Sequence, residues 1–514
     1  MTNNSDSPHE QFVSRRALLE DEHRVDSVLK RHARGGRTAR ENLLDLTNGK
    51  IDVEYGDFAV AAQRSRRPLS ELHTETPGDG VLTVIGHVND GSYLPDKTRT
   101  AIIVNDYSVL AGTQGFFHHK KIDRLLGLAA KRRLPIIMYT EGGGGRPGDT
   151  DVLIAMGGLN VPTFHRWASL AGQVPRVAIN HGYCFAGNAA LFGAADLRIA
   201  TRDSWIGMAG PAMIEGGGLG HYQATEVGPV NVHLRNGVVD LLAEDEQHAT
   251  ALAKLVLSYT QGQSACWEAE DQRPLRDALP SHRRLAYDVR SIINTLVDKH
   301  SLLEIRADFG KALFAGFARI AGIPMAILAS DCRHLGGAID VEAARKATDL
   351  YRLAGRWNLP LVSFIDTPGF MVGPSSEEAG APGVMSELFI AGSTFTPPIV
   401  SIFLRRGYGL GAMAMAGGSF EVPVLASSWP EGEFGAMGLE GAVKLGYKQE
   451  LEAAVDDKQR EQLYNTLLED MYERGKALET ASFLEIDTVI DPVNTRQLIA
   501  STLASSHLDG RIGP

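Results

Sequence analysis

Cysteine is scarce. Cys184, Cys266 and Cys332 are the only three in 514 residues, and no two of them form a CxxC pair. That excludes a zinc ribbon and gives no disulfide framework. The adjacent His118 and His119 have no third ligand at metal spacing, so no metal is expected. Apolar runs are short, and none approaches the roughly 18 residues of a membrane-spanning helix. Met1 to Glu20 is polar and lacks the apolar stretch of a signal peptide, so the expected location is cytoplasmic, with no membrane contact. An excess of positive charge is also missing. The net charge of −11 argues against a nucleic-acid partner, and an anionic ligand would need a local basic patch.

Several chemical signatures are absent as well. The loop Gly142–Arg146 carries no lysine at P-loop spacing, and Gly407, Gly409 and Gly411 give GxGxG where a dinucleotide fingerprint requires GxGxxG. Gly182-Tyr183-Cys184-Phe185-Ala186 has alanine where a nucleophile elbow requires its second glycine. Cys184 and His181 therefore read as packing residues.

Glycine is what the chain has in plenty, 55 residues in all, which points to tight turns and close backbone approaches. Two stretches stand out. The apolar run Val177–Asn180 leads into Gly182-Tyr183-Cys184-Phe185-Ala186-Gly187, and Ile399–Leu404 leads into Gly407-Tyr408-Gly409-Leu410-Gly411. Gly182 and Gly407 lie 407 − 182 = 225 positions apart. The same offset joins Asp106 to Asp331, Gly112 to Gly337, Leu134-Pro135 to Leu359-Pro360 and Gly144 to Gly369. The spacing predicts two copies of one fold, each too large for a solenoid repeat.

Within each copy, β-rich runs alternate with helical periodicity, the pattern of an α/β fold. Strands are predicted over 81–87, 101–104, 135–139, 177–180 and 197–200, and again over 325–329, 361–365, 399–404 and 486–491. Helices are predicted over 122–131, 149–161, 186–192, 244–259, 341–357 and, as one long amphipathic element, 451–480. Thr38 and Glu41 fit a capping box that opens a helix. Residues 1–21 read as a disordered tail, 22–290 as a first domain and 291–514 as a second, with the connection inside the polar stretch Trp267–His300.

Backbone N–H groups at a strand-to-helix turn can hold negative charge developing on an oxygen, without a side-chain catalyst. Two such turns suit a reaction that develops two oxyanions. In this light the ordered motifs become informative. Gly316-Phe317-Ala318-Arg319-Ile320, Gly336-Gly337, Asp366-Thr367-Pro368-Gly369-Phe370, Arg406-Gly407-Tyr408-Gly409 and, earlier, Gly143-Gly144-Gly145-Arg146 with Gly182–Gly187 resemble the carboxyltransferase subunit of biotin-dependent acyl-CoA carboxylases. That family belongs to the crotonase-like superfamily.

The resemblance implies a tandem duplication of crotonase-like ββα superhelix domains. It implies that Ala186 and Gly187 hold the thioester oxygen of an acyl-CoA in the first copy. Leu410 and Gly411 would hold the ureido oxygen of carboxybiotin in the second, flanked by Gly407, Tyr408 and Gly409. The loop Gly143, Gly144, Gly145 and Arg146, with Lys120, Lys121 and Arg124, would serve coenzyme A. Met413, where propionyl-type relatives often carry aspartate, is either a wall of the acyl pocket or core filler. No Met-Lys-Met biotinylation site is present, so biotin is expected on a carrier protein charged by a biotin carboxylase partner. The expected assembly is a homo-hexamer in which the first copy of one chain faces the second copy of another. The alternatives are a decarboxylase or transcarboxylase subunit using the same site, and a non-catalytic scaffold.

Overall fold

The computed structural model describes residues 7–152, 160–283 and 285–508. They form two compact units, divided between Gln261 and Gly262.

In the first unit, seven strands follow one another across the sheet in chain order: β1 (Ile51–Glu54), β2 (Val81–His87), β3 (Arg99–Asn105), β4 (Ile136–Tyr139), β5 (Arg176–Phe185), β6 (Leu197–Gly207) and β7 (Leu241–Ala243). The first three pair antiparallel and the rest parallel. The second unit repeats the plan with β8 (Leu303–Glu304), β9 (Leu313–Ile320), β10 (Ile323–Ser330), β11 (Leu361–Thr367), β12 (Ile399–Tyr408), β13 (Leu425–Ser428), β14 (Glu433–Gly435) and β15 (Thr488–Val489). Here β8 to β10 are antiparallel neighbours and β10 to β13 are parallel, with β14 on β12. The expected tandem α/β duplication is what the chain adopts.

The parallel strands carry apolar runs, such as Ile136–Tyr139, 177–179 and 402–404, where helices cover them. In the first unit the helix Phe116–Arg132 places Ile122, Leu125, Leu126 and Ala129 against Ile103, Ile136 and Met138. Each buried aliphatic side chain contributes about 1.5–3 kcal/mol. In the second, Phe314, Met325, Ile327, Phe364 and Ile402 form the corresponding cluster.

The duplication also shows in the backbone. Arg133 and Asn358 take left-handed φ of 52° and 53°, Leu110 and Leu335 of 50° and 51°, and Gly144 and Gly369 of 93° and 114°. Each pair keeps the 225-residue offset. Gly112 and Gly337 have one steric reason in common. A Cβ would meet Glu141 O at 2.6 Å in one and Asp366 O at 2.7 Å in the other.

Four sequence expectations need correction. The N-terminal tail, from Pro8 to Ala17, is a helix. Ser7 and Glu10 cap it reciprocally and Pro8 opens it, a local signal that the polar composition masked. The unit boundary falls at 261/262, ahead of the expected 290/291. Leu275, Val289, Ile292, Ile293 and Leu296 bury in the second core, and Arg319 Nη1 donates to Gly262 O at 2.9 Å. The long helix expected over 451–480 is three, Lys448–Glu452, Asp457–Arg474 and Ala477–Ser482. Asp456 restarts the chain by accepting from Gln459 N at 2.7 Å, and Gly475 ends the middle helix. The strand expected over 486–491 shrinks to Thr488–Val489. The helix expected over 149–161 lies largely outside the described residues, while the capping box of Thr38 and Glu41 is present.

Candidate active site

β5 ends at Phe185 and the chain turns at Ala186, with φ 51° and ψ −118°, before the helix Gly187–Gly193. A positive φ at a residue with a side chain costs on the order of 1–3 kcal/mol and persists where the surroundings enforce it. Here Ala186 N–H donates to Gly207 O at 2.9 Å. Ala186 is therefore the pivot of the turn and not itself a donor to a ligand. The first N–H left without an acceptor among the described residues is that of Gly187, at the positive end of the helix.

Against this turn lies the loop 141–146. Gly142 N–H donates to Tyr183 O at 2.7 Å and Phe185 N–H to Gly142 O at 3.0 Å. Asn188 ties the two together. Its Oδ1 accepts from Gly144 N–H at 3.1 Å and its Nδ2 donates to Thr140 O at 3.0 Å. A Cβ on Gly144 would meet the Ala186 Cβ at 2.9 Å, so only glycine allows this approach. Gly143 is exposed, and a Cβ there would sit 3.2 Å from Thr113 Cγ2. Gly145 is exposed, a Cβ there would meet nothing within 4 Å, and its N–H also has no acceptor among the described residues.

The second unit repeats the turn at a different offset. Thr367 pairs with Gly407 as Gly142 pairs with Cys184. Gly409, with φ 58°, then matches Ala186, and 409 − 186 = 223. The Gly-Tyr match at 225 is thus out of register by two residues. The first copy has the longer connection between its fourth and fifth strands: β4 Ile136 pairs with Arg176, and β11 Leu361 pairs with Ile399. Leu410 matches Gly187, and its N–H has no acceptor among the described residues. Its side chain is 60% exposed. Gly411 matches Asn188. A Cβ on Gly411 would lie 2.7 Å from Gly369 C, so backbone packs on backbone where the first unit inserts a side-chain amide.

The other candidates divide. Gly407 is a packing glycine, since a Cβ would meet the Phe434 ring at 2.9 Å and the Phe403 ring at 3.0 Å. Tyr408 is buried and Met413 half-buried. Lys120 is exposed, with Nζ 5.4 Å from the Phe116 ring centroid. Lys121 is not a solvated charge: Nζ donates to Gly78 O at 2.7 Å and to Val81 O, and burial draws its pKa down to about 8. The Arg146 side chain is 5% exposed, bound to Asp79, to Thr113 O at 2.7 Å and near Asp149 at 3.5 Å. It braces the glycine loop and presents no free charge to a phosphate. Sequence reasoning missed both features because lysine and arginine side chains reach inward as readily as outward.

Carboxylates at matching positions behave oppositely. Burial pushes Glu141 up to about 7, against Arg31 at 2.6 Å, with Glu246 and Asp106 adding to the rise. Asp366 is equally buried, but Arg406 and Arg405 at 2.7 and 2.8 Å outweigh burial and hold it below its ordinary value. His181 has Thr201 Oγ1 at 3.0 Å and Glu246 at 3.4 Å and is drawn down by burial. Burial raises the Cys184 thiol to about 12, so it is inert core. Among the described residues, no group of three His, Cys, Asp or Glu could hold a metal ion, and no helix is long and apolar enough to cross a membrane.

Two copies of a glycine-lined strand-to-helix turn, each offering backbone donors, define an acyl-transfer scaffold of the crotonase-like kind. The carboxyl transferase domain family matches residues 30–509, and the chain belongs to that family. It is a carboxyltransferase of the type found in biotin-dependent acyl-CoA carboxylases and transcarboxylases. Over 510 residues it is 29% identical to the methylmalonyl-CoA carboxyltransferase 12S subunit of Propionibacterium freudenreichii subsp. shermanii, covering 96% of this chain and 93% of that protein. Over 499 residues it is 27% identical to the propionyl-CoA carboxylase beta chain of Saccharopolyspora erythraea, covering 93% and 89%. Among solved structures, a single-chain, multi-domain long-chain acyl-CoA carboxylase superposes with TM-score 0.91 at 48% identity. That match covers 98% of this chain and 49% of that one, so the chain spans about half that enzyme's length. The transcarboxylase 12S hexamer with methylmalonyl-coenzyme A bound gives TM-score 0.85 at 26% identity, covering 99% and 96%.

Proposed function

We propose that the chain moves a carboxyl group from carboxybiotin, borne by a partner carrier, to the α-carbon of a long-chain acyl-CoA. The observation that carries this reading is the doubled turn. The Gly187 N–H, with the open Gly145 beside it, suits a thioester oxygen that gains enolate charge. The Leu410 N–H, with Gly411 holding that turn against Gly369, suits the ureido oxygen of biotin. When bound, carboxybiotin supplies the carboxyl group and the nitrogen that accepts the α-proton. The chain contributes donors aimed at developing charge, an arrangement worth about 2.7–4 kcal/mol per donor in comparable sites.

The long acyl chain is supported by the 48% identity to the long-chain enzyme, against 29% and 27% to the 12S and propionyl-type relatives. Exposed Lys120 and Arg124 remain the candidates for coenzyme A phosphates. Assembly as a hexamer is supported by the 12S hexamer, and we place that hexamer in the cytoplasm with each site shared by two chains. The 29% identity to that 12S subunit favours one second reading, a transcarboxylase subunit that runs the same site in reverse, from an acyl-CoA to biotin on the carrier.

The test is to mix the purified chain with a carboxylated biotin carrier and acetyl-, propionyl- and palmitoyl-CoA. Carboxylation with the highest kcat/KM on palmitoyl-CoA is expected. A preference for propionyl-CoA overturns the chain-length assignment, and no carboxylation of any acyl-CoA overturns the reading as a whole.

A further inference from the structure

Gln114 sits where the fold calls for an apolar residue. Its backbone is clamped to the glycine loop: N–H donates to Gly144 O at 2.7 Å, and Arg146 N–H donates to Gln114 O at 2.9 Å. The second copy makes the same two bonds 225 positions later, from Ile339 N–H to Gly369 O at 3.0 Å and from Met371 N–H to Ile339 O at 2.9 Å. Ile339 is fully buried. The backbone geometry therefore has no need of a polar side chain. Gln114 is nonetheless polar and only 4% exposed, and its Nε2 has no hydrogen-bond partner among the described residues.

The amide end lies over the first turn. A Cβ on Gly187 would stand 2.3 Å from Gln114 Oε1, and Phe164 closes the other side at 3.0 Å. A half-turn about the terminal torsion exchanges the two ends of the amide at little conformational cost. With Nε2 inward, a buried donor goes unmet, which costs about 1–3 kcal/mol. With Nε2 over Gly187, the donor faces the place where an acyl oxygen would sit, and an under-satisfied carbonyl is the milder of the two inward choices.

We propose that the Gln114 side-chain amide is a catalytic hydrogen-bond donor, reaching the thioester oxygen of the acyl-CoA alongside the Gly187 N–H as enolate charge develops. The inference rests on the first turn being the acyl-CoA site. It also assigns an asymmetry, because the second turn, with Ile339 in the same place, relies on backbone donors alone. A neutral amide donor suits this role. It strengthens its bond as the oxygen gains charge, and it has no proton to lose at any working pH.

The test compares wild-type protein with Gln114→Ile, which copies the residue that the second unit already accommodates, and with the unbranched Gln114→Met. Steady-state carboxylation of palmitoyl-CoA by a carboxylated carrier gives kcat, and competition gives affinity for palmitoyl-CoA and for its thioether analogue, which lacks the carbonyl oxygen. In both variants kcat is expected to fall at least about 100-fold, the lower end of the range for removal of one oxyanion donor. Affinity for the thioester should weaken several-fold while thioether affinity and the KM for the carrier hold. Variants with kcat within threefold of wild type overturn the proposal. So does a parallel loss of thioether affinity, which would mark Gln114 as packing. A wild-type chain that carboxylates no acyl-CoA overturns the reading of the site itself, and this inference with it.

Discussion

The two units build the same turn by different means. In the first, Asn188 reaches across and holds the glycine loop through Gly144 N–H and Thr140 O. In the second, Gly411 lets the helix settle directly onto Gly369. Side-chain bonding tolerates small displacement, whereas backbone contact does not, because no rotamer can relieve it. The first turn is thus adjustable and the second rigid. On the proposed assignment, that difference suits an acyl chain that varies at the first turn and a biotin ring that does not at the second.

The strongest way to break this comparison is to add bulk at each turn. Gly411→Ala drives a methyl into the Gly369 backbone, and kcat should fall at least about 1,000-fold, some 4 kcal/mol. Gly187→Ala meets the end of Gln114, which can move, and the loss should be at most about 30-fold. Equal losses would remove the distinction. The site should also need two chains. Ala186→Trp and Gly411→Trp are each expected to be inactive, yet mixing them under subunit exchange should restore part of the activity. If the exchanged mixture stays dead while exchanged wild type recovers, the shared site is wrong.

The matched carboxylates give the next contrast. Glu141 titrates near 7 when folded, against 4.5 ordinarily. The unfolded chain gives up this proton first as pH rises, so the folded state loses stability between about pH 4.5 and 7, by about 3 kcal/mol. Glu141→Gln should flatten that slope in urea-unfolding measurements. Asp366 lies below its ordinary value, so its contribution is present at neutral pH and disappears as pH falls through the folded value. Asp366→Asn strands Arg405 and Arg406 and should cost about 3–5 kcal/mol at pH 7. Two variants with the same sign at pH 7 and pH 5 would show that the carboxylates are equivalent after all.

Much of this was legible in the sequence. The offset of 225 revealed the duplication, and the strands emerged because parallel strands are continuous apolar runs bounded by glycine and proline. The register of the turns was not legible. Gly-Tyr occurs in both copies, and the real marker, the left-handed residue, is alanine in one and glycine in the other. Asn188 was missed because a polar residue at the start of a helix gives no sign of which neighbour it bonds. Gln114 had a signal: aligned at 225, it faces an isoleucine.

Lys121 and Lys346 carry the comparison into the core. Both are buried and both titrate near 8, again 225 residues apart. Lys121 satisfies two carbonyls, whereas Lys346 Nζ has no hydrogen-bond partner among the described residues. Lys121→Met should lower stability by about 2 kcal/mol by leaving those carbonyls unmet. Lys346→Met removes a buried unpaired ammonium and should raise it by about 1 kcal/mol. A loss in both variants would mean that Lys346 has a partner of equal worth.

The smallest expected effect concerns substrate choice. Met413 follows Leu410 in the helix Gly409–Met415 and is half-buried, whereas its neighbours Ala412 and Ala414 are fully buried. Residues three apart share a helix face, so Met413 lies on the face that carries the exposed Leu410. Its thioether is flexible and apolar and can adapt to a methylene chain. Aspartate there would be unfavourable beside buried methylenes unless paired. Met413→Asp should therefore lower kcat/KM for palmitoyl-CoA relative to propionyl-CoA at least about tenfold, near 1.4 kcal/mol. Affinity for free coenzyme A should stay within twofold, because the proposed phosphate contacts, Lys120 and Arg124, belong to the first unit. An intact oligomer with an unchanged preference would assign Met413 to core packing, and chain-length selection would then have to lie in the adjustable first turn.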